Sequence, residues 1–376
     1  MSNKYQFARL NTFKNIKSSI EDNIVSYNEN AIVLLGDSLE IIKKIPSQSI
    51  SLILTDPPYH TTKKSNIFGD TSFRTDIDYL DWMQQFIIEW KRILKPNGSI
   101  FCFCSPKMSS KLDILFQKEF NVLSNIVWTK PNEPGFDGWK QKANKSSLRQ
   151  WYSHSERIIF AEPYNSDSGK SEFCMFLRET RKLAGLSCNA LTEVIGAYGK
   201  VNHGGAVSNW ETGRNIPSQE QYDKIKDVFL ASGKIVDMPL YEDIIRPFFA
   251  TNEMEFTDVW TFPSVRPYKG KHPAEKPIEM LEQAILATTF EQDIVLDCFS
   301  GSGNTALAAM NLNRKVLAID IEEKWANSLA NKIKPLPQIE QPQNLFQNNF
   351  SHNLLDDANF SVRQHFDDTL ENVLTG

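Results

Sequence analysis

Short apolar runs alternate with amphipathic stretches along most of this chain. The runs have the length of buried β-strands, and the stretches repeat apolar residues every three or four positions, as α-helices do. Such an alternation is typical of an α/β protein with a mostly parallel, doubly wound sheet. The pattern predicts strands at residues 31–35, 50–55, 99–104, 123–128, 156–161, 293–297 and 315–319, and helices at residues 79–93, 276–289 and 304–312.

The pattern changes after a polar segment at residues 165–170, where helical stretches follow one another without a predicted strand. Gly185 and Ser187 are typical of the end of one helix and the N-cap of the next. Near residue 338 the chain becomes rich in Gln and Asn, which is typical of a disordered or embellishing arm. We therefore predict four regions: residues 1–165 and 236–337 as two parts of the α/β domain, 166–235 as an inserted all-α domain, and 338–376 as an acidic tail.

Composition narrows the class of protein. The 376 residues contain no apolar run near the ~20 that span a bilayer, and no apolar signal core follows Met1, so we expect no membrane segment. The five cysteines form no Cys-x-x-Cys pair and no cluster with histidine at zinc spacing, so we expect no disulfide, no metal and a cytoplasmic location. The net charge of −5 is unusual for a DNA-binding protein, but six acidic residues and one arginine after Gln338 account for it.

Asp56, Pro57, Pro58 and Tyr59 follow the strand predicted at residues 50–55. Two prolines cannot extend a sheet ladder, so they turn the chain out of the sheet at the strand's carboxyl end. Open α/β sheets bind ligands at that edge. A carboxylate and a carbonyl that accept hydrogen bonds, beside an aromatic ring, suit a planar base with an amino group, although the tetrapeptide alone is also common turn chemistry.

A second candidate site follows the strand predicted at residues 293–297. Gly301 and Gly303 lie between this strand and a predicted helix, where glycines let backbone N–H groups approach a ligand. Asp320 ends the next strand, and a carboxylate there could hold ribose hydroxyls. The order of strand, Gly-x-Gly, helix, strand and acid predicts a nucleoside-binding βαβ unit.

Five motifs, in one order, resemble those of the S-adenosylmethionine-dependent DNA amino-methyltransferases in their circularly permuted beta-group arrangement. The resemblance covers roughly residues 31–162 and 255–333 and implies a Rossmann-like methyltransferase sheet. Residues 1–165 would then hold the catalytic half and residues 236–337 the cofactor half. The motifs are Gly36-Asp37-Ser38, Asp56-Pro57-Pro58-Tyr59, Leu94-Lys95-Pro96-Asn97-Gly98-Ser99, His272-Pro273-Ala274-Glu275-Lys276-Pro277 and Asp297-Cys298-Phe299-Ser300-Gly301-Ser302-Gly303.

The resemblance implies transfer of a methyl group from S-adenosylmethionine to an exocyclic amino group in DNA. Asp56, Pro57, Pro58 and Tyr59 would be catalytic. The Asp56 carboxylate and the Pro57 carbonyl would accept the amino hydrogens, and Tyr59 would stack on a base flipped from the duplex. The cofactor-binding residues would be Asp37, Ser38, His272, Lys276, Asp297, Phe299, Ser300, Gly301, Gly303, Asn304, Thr305 and Asp320.

The identity of the target base rests on the same resemblance. Asp at the first position of the catalytic motif favours N6 of adenine, and N4 of cytosine is the alternative. Cytosine-C5 methylation needs a nucleophilic cysteine after a proline, and none of the five cysteines follows one. A non-catalytic DNA-binding regulator and an RNA or protein amino-methyltransferase are two further alternatives.

The helical insertion resembles phage-repressor-type helix-turn-helix domains in Trp210-Glu211-Thr212-Gly213 and Ile216-Pro217-Ser218. Its segment 197–205 is longer and richer in glycine than that family's turn, and a helical spacer is the alternative. The resemblance implies a target-recognition domain whose helix, at residues 201–211, enters the major groove. The DNA-binding residues would be His203, Ser208 and Asn209 at base edges and Arg214 at a phosphate.

The loop at residues 60–78 lacks apolar periodicity and contains Lys63, Lys64 and Arg74. It predicts either a mobile flap over the flipped base, with these three residues at DNA phosphates, or an ordinary surface loop. The implied partners are double-stranded DNA and, where one exists, a cognate restriction endonuclease that acts separately. We expect a monomer or a homodimer that does not bind membranes.

Overall fold

The computed structural model describes most of the chain up to Lys334. For residues 3–8, 145 and 172 only the backbone is described. Three predicted DNA-binding residues, Lys63, Lys64 and His203, and the predicted tail lie outside the described residues. The described residues are 3–60, 72–131, 145–147, 149, 151, 154–163, 172–198, 205–251, 254 and 256–334.

Nine strands among these residues form one mixed sheet. In chain order they are β1 (Ile24–Tyr27), β2 (Ala31–Leu35), β3 (Ile50–Thr55), β4 (Leu94–Cys104), β5 (Phe120–Thr129), β6 (Ser155–Pro163), β7 (Val259–Thr261), β8 (Ile294–Asp297) and β9 (Lys315–Asp320).

The strands lie in the order β1-β2-β9-β8-β3-β4-β6-β5-β7 across the sheet. The five strands from β2 to β4 in this order run parallel to one another. β1 and β6 run antiparallel to their neighbours, and β7 runs parallel to β5. The late strand β8 therefore lies beside the early strand β3, and their carboxyl ends meet at one edge of the sheet.

Twelve α-helices are described. Helix α3 shows how they form: Thr75 and Asp78 make a capping box at its start, and its buried side chains recur three or four positions apart. The helices are α1 (Asn3–Ser19), α2 (Ser38–Lys44), α3 (Asp76–Ile93), α4 (Ser109–Phe116), α5 (Glu172–Ala184), α6 (Cys188–Ile195), α7 (Ala206–Glu211), α8 (Gln219–Ala231), α9 (Tyr241–Ile244), α10 (Ile278–Thr288), α11 (Asn304–Asn311) and α12 (Glu323–Ile333).

Helices cover both faces of the sheet. β3 is buried along its whole length, and its side chains alternate between the two faces. Ile53 packs in a cluster with residues of α1 to α4, whereas Leu52 and Leu54 pack in a cluster with residues of α10 to α12. These two layers of helices confirm the predicted α/β fold with a mostly parallel sheet.

Helices α5 to α8, which lie in the predicted insertion, pack around a hydrophobic cluster of their own. Each contributes buried side chains, Trp210 of α7 among them. The recognition helix predicted from residue 201 begins only at Ala206. The predicted start is wrong, because Gly205 has an extended backbone and pairs with Tyr198.

The predicted strands and helices are present, with ends that shift by a few residues. The largest difference lies at residues 94–98, which precede the strand predicted at residues 99–104 but belong to β4. Leu94 pairs with Ile50 before a bulge, and Ser99 pairs with Leu52 after it. No helix in the described part of the chain is long and apolar enough to cross a membrane.

Candidate active site

The carboxyl ends of β3 and β8 border a cavity of about 500 Å³. All four residues of the predicted catalytic motif, 56–59, line this cavity. Eleven of the twelve predicted cofactor-binding residues line it too, and Gly303 is the exception. The sheet order brings the two motifs together, because β8 lies beside β3.

Two hydrogen bonds fix the junction between β3 and β8. The Thr55 hydroxyl donates to Oδ1 of Asp297 at 3.0 Å and accepts from the Cys298 backbone N–H at 3.1 Å, although 242 residues separate Thr55 from Asp297. Burial raises the pKa of Asp297 to about 6, against hydrogen bonds from Thr305, Phe299 and Thr55 that favour its charged form. The two motifs therefore leave the sheet at a fixed separation.

The two oxygens of Asp56 have different surroundings. Oδ2 accepts a hydrogen bond from Nζ of Lys276 at 2.6 Å. Oδ1 is shielded from solvent and has no hydrogen-bond partner among the residues that the structure describes. Burial raises the pKa of Asp56 above its ordinary value, and the Lys276 ammonium opposes that rise. One carboxylate oxygen is thus held in place, and the other is an acceptor without a donor.

Glu156 of β6 joins the catalytic motif to two lysines. The Tyr59 hydroxyl donates to Oε2 of Glu156 at 2.9 Å, and Lys130 donates to Oε1 at 2.7 Å. Lys276 lies 3.1 Å from Oε2. Burial, followed by the nearby carboxylates of Asp56 and Glu156, raises the pKa of Tyr59, so its hydroxyl stays protonated and donates.

The loop after β8 approaches the neighbouring segment closely. Gly301 has a φ of +45°, and a Cβ there would lie 2.9 Å from the His272 ring, so a larger residue would collide with it. The His272 ring makes an edge-on contact with Trp325 at 4.7 Å. Burial, followed by the charge of Lys276, lowers the pKa of His272 to about 4, so the imidazole is neutral.

Asp320, at the end of β9, holds the same loop. Its Oδ2 accepts from the Gly301 backbone N–H at 2.7 Å, and its Oδ1 accepts from the Glu322 backbone N–H at 2.8 Å. The sequence assigns Asp320 to ribose hydroxyls alone. The structure shows a structural role for Asp320, because its carboxylate fixes the backbone around Gly301.

Other predicted cofactor residues connect neighbouring elements. Ser38 donates to the Cys298 carbonyl at 2.5 Å, and Asp37 caps α2 by accepting from the Leu39 N–H. The Asn304 side-chain amide donates to the Lys276 carbonyl at 2.9 Å. The cavity wall is therefore tied together across several elements.

The family is decided by a comparison of the sequence with family models. The model of a DNA methylase family, N6_N4_Mtase, matches residues 50–332, which include both motifs and the sheet between them. The chain belongs to this DNA methylase family. It is an enzyme that transfers methyl groups to DNA, and the methyl donor of the family is S-adenosylmethionine.

Several curated proteins resemble this methylase. DNA adenine methyltransferase YhdJ of Escherichia coli (strain K12) is 26% identical over 301 residues, which cover 79% of this chain and 81% of that protein. Type II methyltransferase M2.DpnII of Streptococcus pneumoniae is 26% identical over 318 residues, which cover 80% of this chain and 88% of that protein.

Solved structures with a similar arrangement include the M1.HpyAVI–SAM complex and the PvuII DNA methyltransferase (cytosine-N4-specific). The first has a TM-score of 0.44 and 20% identity, over 81% of this chain and 100% of that chain. The second has a TM-score of 0.48 and 17% identity, over 81% of this chain and 87% of that chain.

The cavity of this methylase fits S-adenosylmethionine. The Ser300 hydroxyl is buried in the cavity wall and finds no hydrogen-bond partner in the described part of the chain. The carboxylates of Asp320 and Glu322 border the loop around Gly301 and suit the hydroxyl donors of a nucleoside. An unpaired hydroxyl and carboxylates beside a close backbone approach are what a polar cofactor requires.

The four predicted DNA-binding residues that the structure describes, Arg74, Ser208, Asn209 and Arg214, do not line the cavity. Arg74 is exposed just before α3. In the insertion, Ser208 and Arg214 are exposed and Asn209 is half-buried, on α7 and just after it. Ser208 and Asn209, two of the three predicted base-reading residues, therefore lie on one short helix, and the third, His203, is outside the described residues.

Sequence reasoning missed several residues of the cavity wall. Glu156 carried a signal, because it is an acid at the start of an apolar strand. The aromatic residues carried none, since Trp82 and Phe86 have the i, i+4 spacing of an ordinary buried helix face. The missed residues that line the cavity include Phe73, Trp82, Phe86, Trp128, Lys130, Glu156 and Glu322.

Proposed function

We propose that this methylase transfers the methyl group of S-adenosylmethionine to the N6 amino group of adenine in double-stranded DNA. The observation that carries the proposal is the buried Oδ1 of Asp56, which lies beside Tyr59 and accepts no hydrogen bond from the residues that the structure describes. Adenine is favoured by Asp at the first position of the motif. The resemblance to YhdJ, whose name describes a DNA adenine methyltransferase, also supports adenine.

The proposed chemistry addresses the weak nucleophilicity of an amino nitrogen whose lone pair is delocalised into the base. Oδ1 of Asp56 and the Pro57 carbonyl would accept the two amino hydrogens, which favours a pyramidal nitrogen with a localised lone pair. S-adenosylmethionine, when bound, supplies the electrophilic methyl group. Because no covalent enzyme intermediate is needed, orientation and electrostatic stabilisation supply most of the rate enhancement.

Base flipping follows from the same geometry. The acceptor oxygen of Asp56 is shielded from solvent, and an amino group inside a stacked duplex cannot approach it. Tyr59 would stack on the flipped base, since its ring borders the cavity and its hydroxyl is held by Glu156. Arg74, at the described end of the loop at residues 60–78, would contact a DNA phosphate, while residues 61–71 of that loop lie outside the described residues.

We further propose a circularly permuted arrangement of the methyltransferase fold, with Asp37, Ser38 and the residues around Gly301 and Asp320 at the cofactor. The position of β8 beside β3 supports the permutation, because the Gly-rich loop follows the catalytic strand in the chain and adjoins it in the sheet.

The insertion at residues 166–235 is proposed as the helix-turn-helix domain that reads the DNA sequence. Its own hydrophobic cluster and the short helix α7 support this role. Ser208 and Asn209 would meet base edges in the major groove, and Arg214 would contact a phosphate. The relatives named Type II methyltransferases support a place in a restriction–modification system, with a separate endonuclease, in the cytoplasm.

Product analysis tests the target base directly. The protein is incubated with isotope-labelled S-adenosylmethionine and unmethylated duplex DNA, and the digested nucleosides are separated by mass. Labelled N6-methyladenine is the expected product. Labelled N4-methylcytosine would contradict the adenine assignment, and DNA binding without any transfer would indicate a regulator. Parallel incubations with RNA and with protein test the remaining alternatives.

A further inference from the structure

Lys276 bridges two carboxylates in the cavity. Its ammonium lies 2.6 Å from Oδ2 of Asp56 and 3.1 Å from Oε2 of Glu156. The Lys276 side chain is only 8% exposed, against 19% for Asp56 and 18% for Glu156. A buried ammonium is unfavourable unless it is paired, so both carboxylates hold Lys276 in one position.

Glu156 connects this lysine to the aromatic member of the catalytic motif. Glu156 accepts hydrogen bonds from the Tyr59 hydroxyl and from the Lys130 ammonium. The carboxylates of Asp56 and Glu156 and the ammonium groups of Lys130 and Lys276 therefore sum to zero charge. Burial raises the pKa of Glu156, but Lys276 and Lys130 outweigh it and lower the pKa to about 2. Burial disfavours the Lys276 ammonium, but Asp56 and Glu156 together raise the pKa of Lys276. Glu156 and Lys276 therefore stay charged at neutral pH.

Asp56 is the member of this group whose charge depends most on a neighbour. Burial raises the pKa of Asp56, Glu156 adds to the rise, and the ammonium of Lys276 opposes both. Lys276 is the cation that favours the ionised form of Asp56, and the nearby Tyr59 side chain favours it as well. The other titratable groups that face Asp56 in the described structure are all weak or strong acids, so none of them replaces the charge of Lys276. These groups are Tyr59, Cys102, Cys104 and Asp297.

We propose that Lys276 and Glu156 are positioning residues for methyl transfer. Lys276 binds one oxygen of Asp56 and leaves the other as the acceptor for the target amino group, while Glu156 holds both Lys276 and Tyr59. This inference rests on the proposed role of Asp56. It also assigns Lys276 to the target side of the cavity, whereas the sequence assigned it to the cofactor.

The test compares the pH dependence of single-turnover methyl transfer, measured with saturating S-adenosylmethionine and duplex DNA. Lys276→Met replaces the cation with a neutral side chain of similar length. Because transfer needs an ionised Asp56, the acid midpoint of the profile should rise by about 1–3 pH units, and the loss of rate should shrink as the pH rises. Lys276→Arg keeps the charge, so its midpoint should match that of the wild type even if its rate falls.

Glu156→Gln should act in the opposite direction. It removes a negative charge that faces Asp56, so the acid midpoint should move to lower pH. The new amide oxygen can still accept from the Tyr59 hydroxyl, which keeps the ring in place. Burial raises the pKa of Asp297 to about 6, and Asp297 itself is present in the wild type and in all of these variants, so the difference between profiles carries the result.

Lys91→Met is the matched control, because Lys91 pairs with Glu119 and does not line the cavity. Its profile should match that of the wild type. Calorimetry should show unchanged S-adenosylmethionine affinity in Lys276→Met. If Lys276→Met does not fold, the comparison of Lys276→Gln with Lys276→Arg decides the same question.

Two results separate this inference from the proposed function. An unchanged acid midpoint in Lys276→Met, with Asp56→Ala inactive, would overturn the positioning role, and weaker cofactor binding in the same variant would return Lys276 to the cofactor. Retained activity in Asp56→Ala would instead contradict the proposed function itself.

Discussion

At the scale of single residues, the energetics of Asp56 favour the binding of a donor. Oδ1 is a shielded acceptor that no donor reaches in the described structure. An unsatisfied buried acceptor costs roughly 1–3 kcal/mol, and a bound amino group would recover much of that. In the proposed function, the target base would therefore relieve a local instability of the free protein.

Asp56→Ala should abolish methyl transfer and leave cofactor affinity unchanged, because Asp56 is proposed to act on the target nitrogen. Electrostatic contributions of this kind are worth roughly 10²–10³ in rate. Single-turnover rates and calorimetry with S-adenosylmethionine measure the two effects separately. Near-wild-type turnover in a folded Asp56→Ala protein would remove Asp56 from the catalytic role.

The raised pKa of Asp297 predicts that the stability of the folded protein depends on pH. Burial raises its pKa to about 6, from 3.8, so the folded protein binds this proton more tightly than the unfolded chain. Stability from this group is therefore fully present below the unfolded pKa and is lost as the pH rises through 6. Relative to the wild type, Asp297→Asn should gain about 1.4 kcal/mol of stability between pH 5 and pH 8, because pH 5 already lies above the pKa of the unfolded chain. Chemical denaturation at both pH values measures the gain, and an equal difference at both would contradict it.

The positions of Asp56 and Tyr59 at a strand end were predictable from the sequence, because an apolar run followed by two prolines has few other structures. The ion pair that Lys276 forms with Asp56 was not predictable. A lysine in a motif that resembles a cofactor segment gives no sign that its ammonium reaches a carboxylate 220 residues away. Such a pairing depends on the order of strands in the sheet, which local pattern does not contain.

At the scale of elements, the loop between β8 and α11 depends on close packing. Gly303 has a φ of +79°, and a Cβ there would lie 2.5 Å from Cδ1 of Leu329 in α12. Gly303 does not line the cavity, so its predicted cofactor role would be indirect, through the approach of α12 to the loop.

Gly303→Ala should therefore lower the free energy of unfolding by more than the strain of a left-handed backbone alone would. Gly196→Ala is the matched control, because Gly196 has a φ of +67° and nothing within 4 Å of its missing Cβ. The control should lose about 1–2 kcal/mol from backbone strain. Thermal unfolding of both variants gives the difference, and equal losses would mean that Leu329 moves aside without penalty.

Short or polar elements were missed in the sequence for a common reason. Among its described side chains, residues 9–19, α1 buries only two apolar ones, Phe13 and Ile16, and β7 has three residues. Residues 94–98, which lie outside the predicted strand, contain Pro96 and Gly98, yet they pair with β3 across a bulge and form part of β4. Contacts with other parts of the fold determine where these elements form, and the local propensity of their residues does not.

At the scale of the whole molecule, the insertion and the sheet divide the proposed tasks between sequence recognition and chemistry. Ser208→Ala combined with Asn209→Ala should relax sequence selectivity and leave S-adenosylmethionine affinity unchanged. Arg214→Ala should weaken DNA binding evenly across sequences and reduce the salt slope by about 1. Methylation mapped on mixed DNA sequences measures selectivity. If a folded protein without residues 172–230 methylates the same sites equally well, the insertion is not the reader.

The position of β8 beside β3 also affects how the protein folds while it is synthesised on the ribosome. Until residues 294–297 emerge, β3 can pair only with β4 and has one bare edge, and the Thr55 hydroxyl has no Asp297 to bind. Contacts of such long sequence separation form slowly because a large loop must close first. The cavity should therefore mature only after nearly the whole sheet has been synthesised, and the nascent first half should depend on protection from aggregation until then.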